Sequence, residues 1–261
     1  MKYYLDSYIE ALLRRGCYHF TREELRKQFD VDDAAIRQGL RRLTRNQRIR
    51  LIRNGFYVVI PPEHQNTGLL PPEMFIGEFM RHLNRPYYIG LLSAAALHGA
   101  GHQQPQICSI ITTAPAIRPV LNIGFPIKSK MPKAGIEKKK TPAGYVNISS
   151  AELTALDLVT YIKRSGGISS VTAVLEELSE NMLSGKLALS AKESVPATPL
   201  QRLGYILDEI LNEQPLADVL WAELQTRSFF HIPLNRSNDK FNCPINKKWK
   251  IQINMNLEVE L

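Results

Sequence analysis

The sequence predicts an α+β protein with a basic, helical N-terminal part and a longer mixed α/β part behind it. Hydrophobic residues follow the helical period three times within residues 5–45. Asn54-Gly55 stands between two alternating runs, which is the strongest short-range signal for a β-hairpin. With 44% hydrophobic and 22% charged residues, the composition is typical of a folded globular chain.

The first two helices are indicated by hydrophobic spacing and by a cap. Leu5 and Ile9 lie on one face of a helix that should end at Gly16. Thr21 is followed three residues later by Glu24, the spacing of a capping box, in which the two side chains satisfy each other's backbone N–H groups. The pattern therefore predicts two short amphipathic helices before residue 30.

The third helix should begin after a cap at Asp32 or Asp33. Ile36, Leu40 and Leu43 fall on one stripe, which we expect to face inward. At about 100° per residue, the opposite face carries polar and small residues. These are Ala34, Gln38, Arg41 and Arg45, with Arg37 and Arg42 on the flanks.

The hairpin turns at Asn54-Gly55, because a type I′ turn needs positive φ at both positions. A two-residue turn pairs Arg53 with Phe56 and Leu51 with Val58. We therefore expect Ile49, Leu51 and Ile60 to face the core. The outer face would then carry Arg48, Arg50, Ile52, Tyr57 and Val59.

Three helices followed by a two-stranded hairpin form the pattern of a winged helix-turn-helix, whose recognition helix enters the major groove of DNA. Residues 35–59 hold seven arginines, no lysine and no acid. Arginine can bind guanine or phosphate through two hydrogen bonds, and Gln38 could bind adenine in the same way. The predicted DNA-binding residues are Arg37, Gln38, Arg41, Arg42, Arg45, Arg48, Arg50 and Arg53. The alternatives are a basic module that contacts a protein and a charged, solvated face.

Pairs of prolines at 61–62 and 71–72 indicate a domain boundary. We predict a winged helix-turn-helix domain over 1–62 and a mixed α/β domain over 63–261. The net charge of +8 is concentrated in the first 150 residues, which suggests a basic binding module joined to a body with another role.

The body lacks the motifs of common active sites. It has neither a GxxxxGK[ST] phosphate loop nor a GxGxxG fingerprint. His98 and His102 are four apart, but the glutamate of HExxH is missing, so a hydrogen bond from the ring to nearby backbone is favoured over a metal. Glu152 and Asp157 are too far apart around a helix to act as a carboxylate pair. We therefore predict no catalytic residue, no metal, no cofactor and no enzymatic activity.

Three well-separated cysteines without CxxC spacing indicate reduced thiols. The N-terminal residues contain acids where a signal peptide needs an apolar stretch, and the most apolar segment is too short to span a bilayer. We expect a cytoplasmic protein without a membrane partner.

Four segments behind the predicted winged domain make the chain resemble the AbiEi family of bacterial antitoxins, over essentially its whole length. They are RPYYIGLLSAAALHGAGHQQPQ, SSAELTALDLVTYIKRSGG, QRLGYILDEIL and WKIQINMNLEVEL. The resemblance implies that the winged domain represses its own operon by binding inverted repeats, where copies could associate. It implies that Arg37, Gln38, Arg41 and the hairpin arginines contact double-stranded DNA. It also implies that the C-terminal domain opposes a nucleotidyltransferase-type toxin in a type IV system, without a stable complex.

One departure from the family pattern and one competing function remain. Residues 231–249 form a longer segment than the family would have before the last strand. The competing function is a nucleic-acid-modifying enzyme that uses the winged domain only for positioning, with catalysis in 63–261. A nucleotidyltransferase gene next to this one would favour the antitoxin.

Overall fold

The computed structural model describes residues 4–101, 105–194, 196–239 and 241–257. Within these ranges, helices are combined with three β-sheets, which confirms the predicted α+β class. The chain divides into two compact units. Unit 1 comprises Met1–Tyr87, Thr112–Ile127 and Lys138–Asn147, and unit 2 comprises Tyr88–Ile111, Lys128–Glu137 and Ile148–Leu261.

Unit 1 begins with three helices: α1 (Tyr4–Arg14), α2 (Arg22–Gln28) and α3 (Asp33–Arg45). The predicted capping box is present, since Thr21 accepts from Glu24 N while the Glu24 side chain accepts from Thr21 N. Asp32 caps α3 by accepting from Ala35 N at 2.6 Å. Local side chains therefore determine where both helices begin.

The three helices enclose a small apolar core. Ile36, Leu40 and Leu43 of α3 are at most 3% exposed, as the stripe pattern predicted. They pack in one cluster with Leu5 and Ile9 of α1. Burying one face of α3 leaves its opposite face turned to solvent.

A three-stranded sheet closes this core, with the order β1-β3-β2: β1 (His19–Thr21), β2 (Ile49–Arg53) and β3 (Phe56–Val59). Asn54 and Gly55 have φ values of 50° and 75°, which confirms the predicted hairpin turn. The short strand β1 was not predicted. It pairs antiparallel with β3, where His19 lies opposite Val58.

The predicted hairpin register was wrong before the turn. Arg53 does lie opposite Phe56, but Leu51 lies opposite Tyr57 rather than Val58. A β-bulge between Leu51 and Arg53 inserts one extra residue, which turns Leu51 outward and Ile52 inward, while Ile49 remains in the core as predicted. Consequently Ile52 is buried, with 6% of its surface exposed, whereas Leu51 is 47% exposed.

Residues beyond the hairpin also pack in unit 1. Two 3-10 turns (Pro62–His64 and Pro72–Met74) and α4 (Ile76–His82) follow. The ring centroid of Phe56 lies 5.3 Å from that of Phe79, and Asn54 O lies 3.1 Å from His82 Nε2. The hairpin is thus supported by residues that follow position 62.

A six-stranded sheet is formed by β4 (Tyr87–Ile89), β5 (Cys108–Thr113), β6 (Ile123–Gly124), β7 (Ile127–Lys128), β8 (Ile136–Thr141) and β9 (Gly144–Ser149). The strands have the order β6-β5-β4-β9-β8, with β7 paired to β5. Strands β4 and β9 run parallel, with Ile89 opposite Ile148.

Unit 2 is mainly helical. It contains α5 (Leu91–Leu97), α6 (Ala151–Thr160), α7 (Ile168–Ser179), α8 (Ser184–Glu193), α9 (Ala197–Tyr205) and α10 (Gln214–Gln225). A π-helical turn over Ile206–Ile210 follows α9. A small three-stranded sheet contains β10 (Ile232–Pro233), β11 (Ile245–Asn246) and β12 (Ile251–Gln252). Its spatial order is β10-β12-β11. Trp249 is fully buried in this unit's core. None of the described helices has the length and hydrophobicity that a membrane span requires.

Candidate nucleic-acid interface

The outer face of α3 is an exposed basic surface that the sequence predicted. Arg37, Gln38, Arg41 and Arg45 are all exposed on it, as expected from the burial of the opposite stripe. We call these four residues the arginine face. Guanidinium and amide groups at this spacing can donate hydrogen bonds to phosphate oxygens and to base edges.

Three members of the arginine face are available for a ligand. Gln38, Arg41 and Arg45 make no side-chain hydrogen bond or ion pair with any residue that the structure describes. Arg37 differs, because its Nη1 lies 3.2 Å from Asp33 Oδ2, one turn earlier on α3.

Three arginine side chains surround the carboxylate of Asp33 at the start of α3. Arg26 donates to it at 2.9 Å and Arg22 at 2.5 Å. The hydrogen bond from Arg26, with the charges of Arg22 and Arg37, lowers the pKa of the Asp33 carboxyl. Arg37 is therefore held near the first turn of α3 by a carboxylate that stays ionised.

Arg42 and Arg48 face α1 and differ from the arginine face in their surroundings. Arg42 forms an ion pair with Asp6, and Arg48 Nη1 lies 3.9 Å from Asp6 Oδ1. Both arginines are only partly exposed. Their contacts join α1 to α3 and to the residue that precedes β2, so part of the predicted arginine set supports the fold of unit 1.

The two hairpin arginines donate to backbone oxygens within unit 1. Arg50 Nη1 lies 2.9 Å from Gly68 O, and Arg53 Nη2 lies 2.7 Å from Arg118 O. Both acceptors are neutral carbonyl oxygens, so these hydrogen bonds do not neutralise the positive charge of either side chain. The hairpin thus presents positive charge in fixed positions.

A groove of about 700 Å³ lies beside the arginine face in unit 1. Gln38, Arg41 and Arg45 line it together with Tyr4 and Leu5 of α1, and the other described residues of the lining are Ala35, Gly39 and Arg42. Small residues at positions 35 and 39 leave room between the longer polar side chains. The groove therefore offers a concave, basic surface on which several donors converge.

In unit 2, His98 makes the hydrogen bond to backbone that the sequence favoured. His98 Nε2 lies 2.7 Å from Ser149 O, a hydrogen bond to backbone. His102 lies outside the described residues. Ser93 Oγ accepts from Ser109 N at 3.0 Å, which is a packing role. Over the described ranges, no three His, Cys, Asp or Glu side chains are grouped to hold a metal ion.

The sequence did not reveal a buried polar group within unit 2. Asp157, 1% exposed, accepts from Tyr88 Oη at 2.6 Å and from Lys128 Nζ at 2.7 Å. Burial raises the pKa of the Asp157 carboxyl, and Lys128 and Tyr88 limit that rise. Burial beside Asp157 also raises the pKa of Tyr88. The Lys128 ammonium thus compensates the charge of a buried carboxylate.

Part of the chain matches a family model of antitoxins. Residues 88–209 match the family model described as the AbiEi antitoxin C-terminal domain. This match confirms the AbiEi resemblance over those residues, and AbiEi antitoxins are not a family of enzymes. The comparison with curated proteins found no match.

A solved structure shares the fold of nearly the whole chain. Its title is "Crystal structure of RV2827C protein from Mycobacterium tuberculosis", and its TM-score is 0.66 at 16% sequence identity. The likeness covers 93% of this chain and 88% of that one. At this identity it establishes a shared fold, without a shared ligand or activity.

Proposed function

We propose that this protein is a DNA-binding repressor of its own operon that also acts as the antitoxin of a type IV system. In this proposal residues 1–62 form a winged helix-turn-helix, and the antitoxin domain lies within 63–261. Its functional partner is a nucleotidyltransferase-type toxin that it opposes without a stable complex. The setting for this role is the cytoplasm.

The observation that carries the DNA-binding part is the arginine face. Because Gln38, Arg41 and Arg45 have no partner among the described residues, DNA can bind them without breaking an existing contact. Gln38 and Arg41 are the proposed base readers, since amide and guanidinium groups can each form two hydrogen bonds with one base. Arg45 is proposed to bind phosphate.

The remaining arginines have a supporting role in this proposal. Arg37, Arg42 and Arg48 are held by Asp33 or Asp6, so they position α3 and add positive potential near the DNA backbone. Arg50 and Arg53 keep their charge and would bind flanking phosphates from the hairpin. Two copies on an inverted repeat would give the symmetric arrangement that helix-turn-helix operators require.

The antitoxin part rests on the domain match at 88–209. Repression and protection from the toxin should then depend on different residues. The test is a double variant, Arg41→Ala with Arg45→Ala, measured in a promoter–reporter assay and in cells that express the adjacent toxin from a foreign promoter. The double variant should no longer repress the promoter but should still protect cells from the toxin.

The matched control changes Arg14 and Arg15 to alanine, two exposed arginines at the end of α1 outside the arginine face. It removes the same charge and should keep both activities. If the Arg41/Arg45 variant folds but fails to protect, protection requires DNA binding and the proposed separation is wrong.

A further inference from the structure

Unit 2 contains a small cavity of about 260 Å³ that is lined by four cationic side chains. They are Lys163, Arg164, Arg202 and Arg236. No acidic residue is among the described residues that line it. We propose that this cavity binds inorganic phosphate or a phosphate monoester, with Arg202 as the central ligand-binding residue.

Arg202 is the unusual member of this group. It lies on α9 and is only 3% exposed. Its Nε donates to Leu234 O at 3.2 Å and its Nη2 to Pro233 O at 3.0 Å, so both acceptors are neutral carbonyl oxygens. Nη1 has no hydrogen-bond partner in the part of the chain that the structure describes. The geometry therefore leaves a donor of a buried guanidinium available.

A buried charge without an opposite charge is energetically unfavourable, so buried arginines normally pair with a carboxylate or another anion. Arg202 pairs with no carboxylate within the described residues. Burial, followed by the charge of Arg236, lowers the pKa of Arg202 to about 10. Arg202 stays protonated at neutral pH, and an anion in the cavity would supply the missing negative charge.

The surrounding cations favour a doubly charged ligand. Lys163, Arg164 and Arg236 are exposed and line the same cavity as Arg202. A phosphate monoester carries about −1.5 to −2 charges at pH 7 and three strong acceptor oxygens, whereas a simple carboxylate carries one charge. Arginine is suited to phosphate because its planar donors match two oxygens at once.

Cavity size points to a small ligand. Sites for drug-sized molecules usually measure about 300–1,000 Å³, and this cavity lies just below that range. An inorganic phosphate or the phosphate end of a monoester fits these dimensions better than a nucleic-acid duplex does. The proposed site also lies in unit 2, whereas the proposed DNA-binding residues are all in unit 1.

The test is isothermal titration calorimetry of the full chain at constant ionic strength, with inorganic phosphate, phosphoserine and acetate as separate probes. We expect one phosphate per chain and at least tenfold weaker binding of acetate. Tighter binding of phosphoserine than of phosphate would identify the ligand as a monoester, and equal binding would identify free phosphate. Displacement of phosphate by duplex DNA would overturn the proposal.

The decisive variant is Arg164→Ala with Arg236→Ala, because both side chains are exposed and their loss should leave the fold intact. It should bind phosphate at least tenfold more weakly. The control, Lys192→Ala with Lys247→Ala, removes two exposed positive charges from unit 2 away from the cavity lining and should bind within twofold of the unmodified protein. Absence of phosphate binding by the unmodified protein, or equal binding by the decisive variant, would contradict the site.

Discussion

Arg53 Nη2 donates a hydrogen bond to Arg118 O at 2.7 Å. This bond joins the tip of the N-terminal hairpin to a segment that lies 65 residues further along the chain. Both residues belong to unit 1. The hairpin arginine is therefore oriented by the fold while it keeps its charge.

Changing Arg53 to alanine should weaken binding to every DNA sequence by a similar factor. The reason is that a phosphate contact carries no base information. The lost hydrogen bond should also reduce the free energy of unfolding by about 1 kcal/mol. Gel shifts with operator and random duplexes, together with urea denaturation, measure the two effects. Arg53→Gln is the matched variant, because it can keep the bond to Arg118 O while it loses the charge. Selective loss of operator binding would show that Arg53 reads bases.

Adjacent arginines on α3 should respond differently to alanine. Arg42 is paired with Asp6 and partly buried, so Arg42→Ala should lower the free energy of unfolding by about 1 kcal/mol. Arg41 has no partner within the described residues, so Arg41→Ala should change stability by less than about 0.5 kcal/mol. Urea denaturation of the two variants measures this. Equal destabilisation by both changes would show that Asp6 does not hold Arg42 in solution.

Lys128→Ala should destabilise unit 2 by about 3 kcal/mol at pH 7, because it leaves the Asp157 carboxylate buried without its cation. Burial already raises the pKa of Asp157, and loss of Lys128 raises it further. The native state then binds a proton more tightly than the unfolded state does, so stability falls as pH rises between the two pKa values. The loss of unfolding free energy caused by Lys128→Ala should therefore become smaller as pH is lowered from 7 towards 4.

Urea denaturation of the Lys128 variant across that pH range is the measurement. Lys130→Ala is the control, since Lys130 is an exposed residue on the same segment and should change little. Adding Asp157→Asn to the Lys128 variant should recover part of the loss, because a neutral amide needs no cation. If Lys128→Ala destabilises the protein equally at every pH, the buried carboxylate of Asp157 is not the cause of the destabilisation.

Gly204→Ala should destabilise the protein, although alanine favours helices over glycine by about 1 kcal/mol. Gly204 lies in α9, and a Cβ atom there would overlap the buried ring of Trp249. Overpacking of this kind typically costs about 1–3 kcal/mol. Gly185→Ala in α8 is the control, because a Cβ atom there would meet nothing within 4 Å. Thermal denaturation should show a lower melting temperature for the first variant only.

Short-range signals explain how much of unit 1 the sequence predicted. The Thr21 capping box, the Asp32 cap and the Asn54-Gly55 turn depend on residues within four positions of each other, and all three were confirmed. The bulge was missed because Leu51 and Ile52 are both apolar, so the order of residue types in β2 fits either register. Only the burial of Ile52 against the folded unit distinguishes the two registers.

The candidate sites were less predictable, because whether a side chain is buried or paired depends on residues distant in sequence. The helical projection placed Arg41 on the outer face of α3 and Arg42 on its flank, but only the fold shows that Arg42 is paired with Asp6, 36 residues earlier in the chain. The Tyr88–Asp157 bond spans 69 residues. Arg202 lies in an ordinary helical segment, and only the fold shows that it is buried and has no carboxylate partner among the described residues. Composition alone could not have identified these relationships.

The most direct test of the account is a gel-shift comparison of operator and scrambled duplexes with the full chain. It uses the DNA upstream of this protein's own gene, and it compares the unmodified protein with Gln38→Ala and Arg41→Ala. Each variant should lose about 1–3 kcal/mol of preference for the operator, while binding to scrambled DNA changes much less. The unmodified protein should bind more weakly as salt increases, with a log–log slope of about −0.9 per phosphate contact. Equal loss on both duplexes, or affinity that does not depend on salt, would contradict the assignment of the arginine face as the DNA-reading surface.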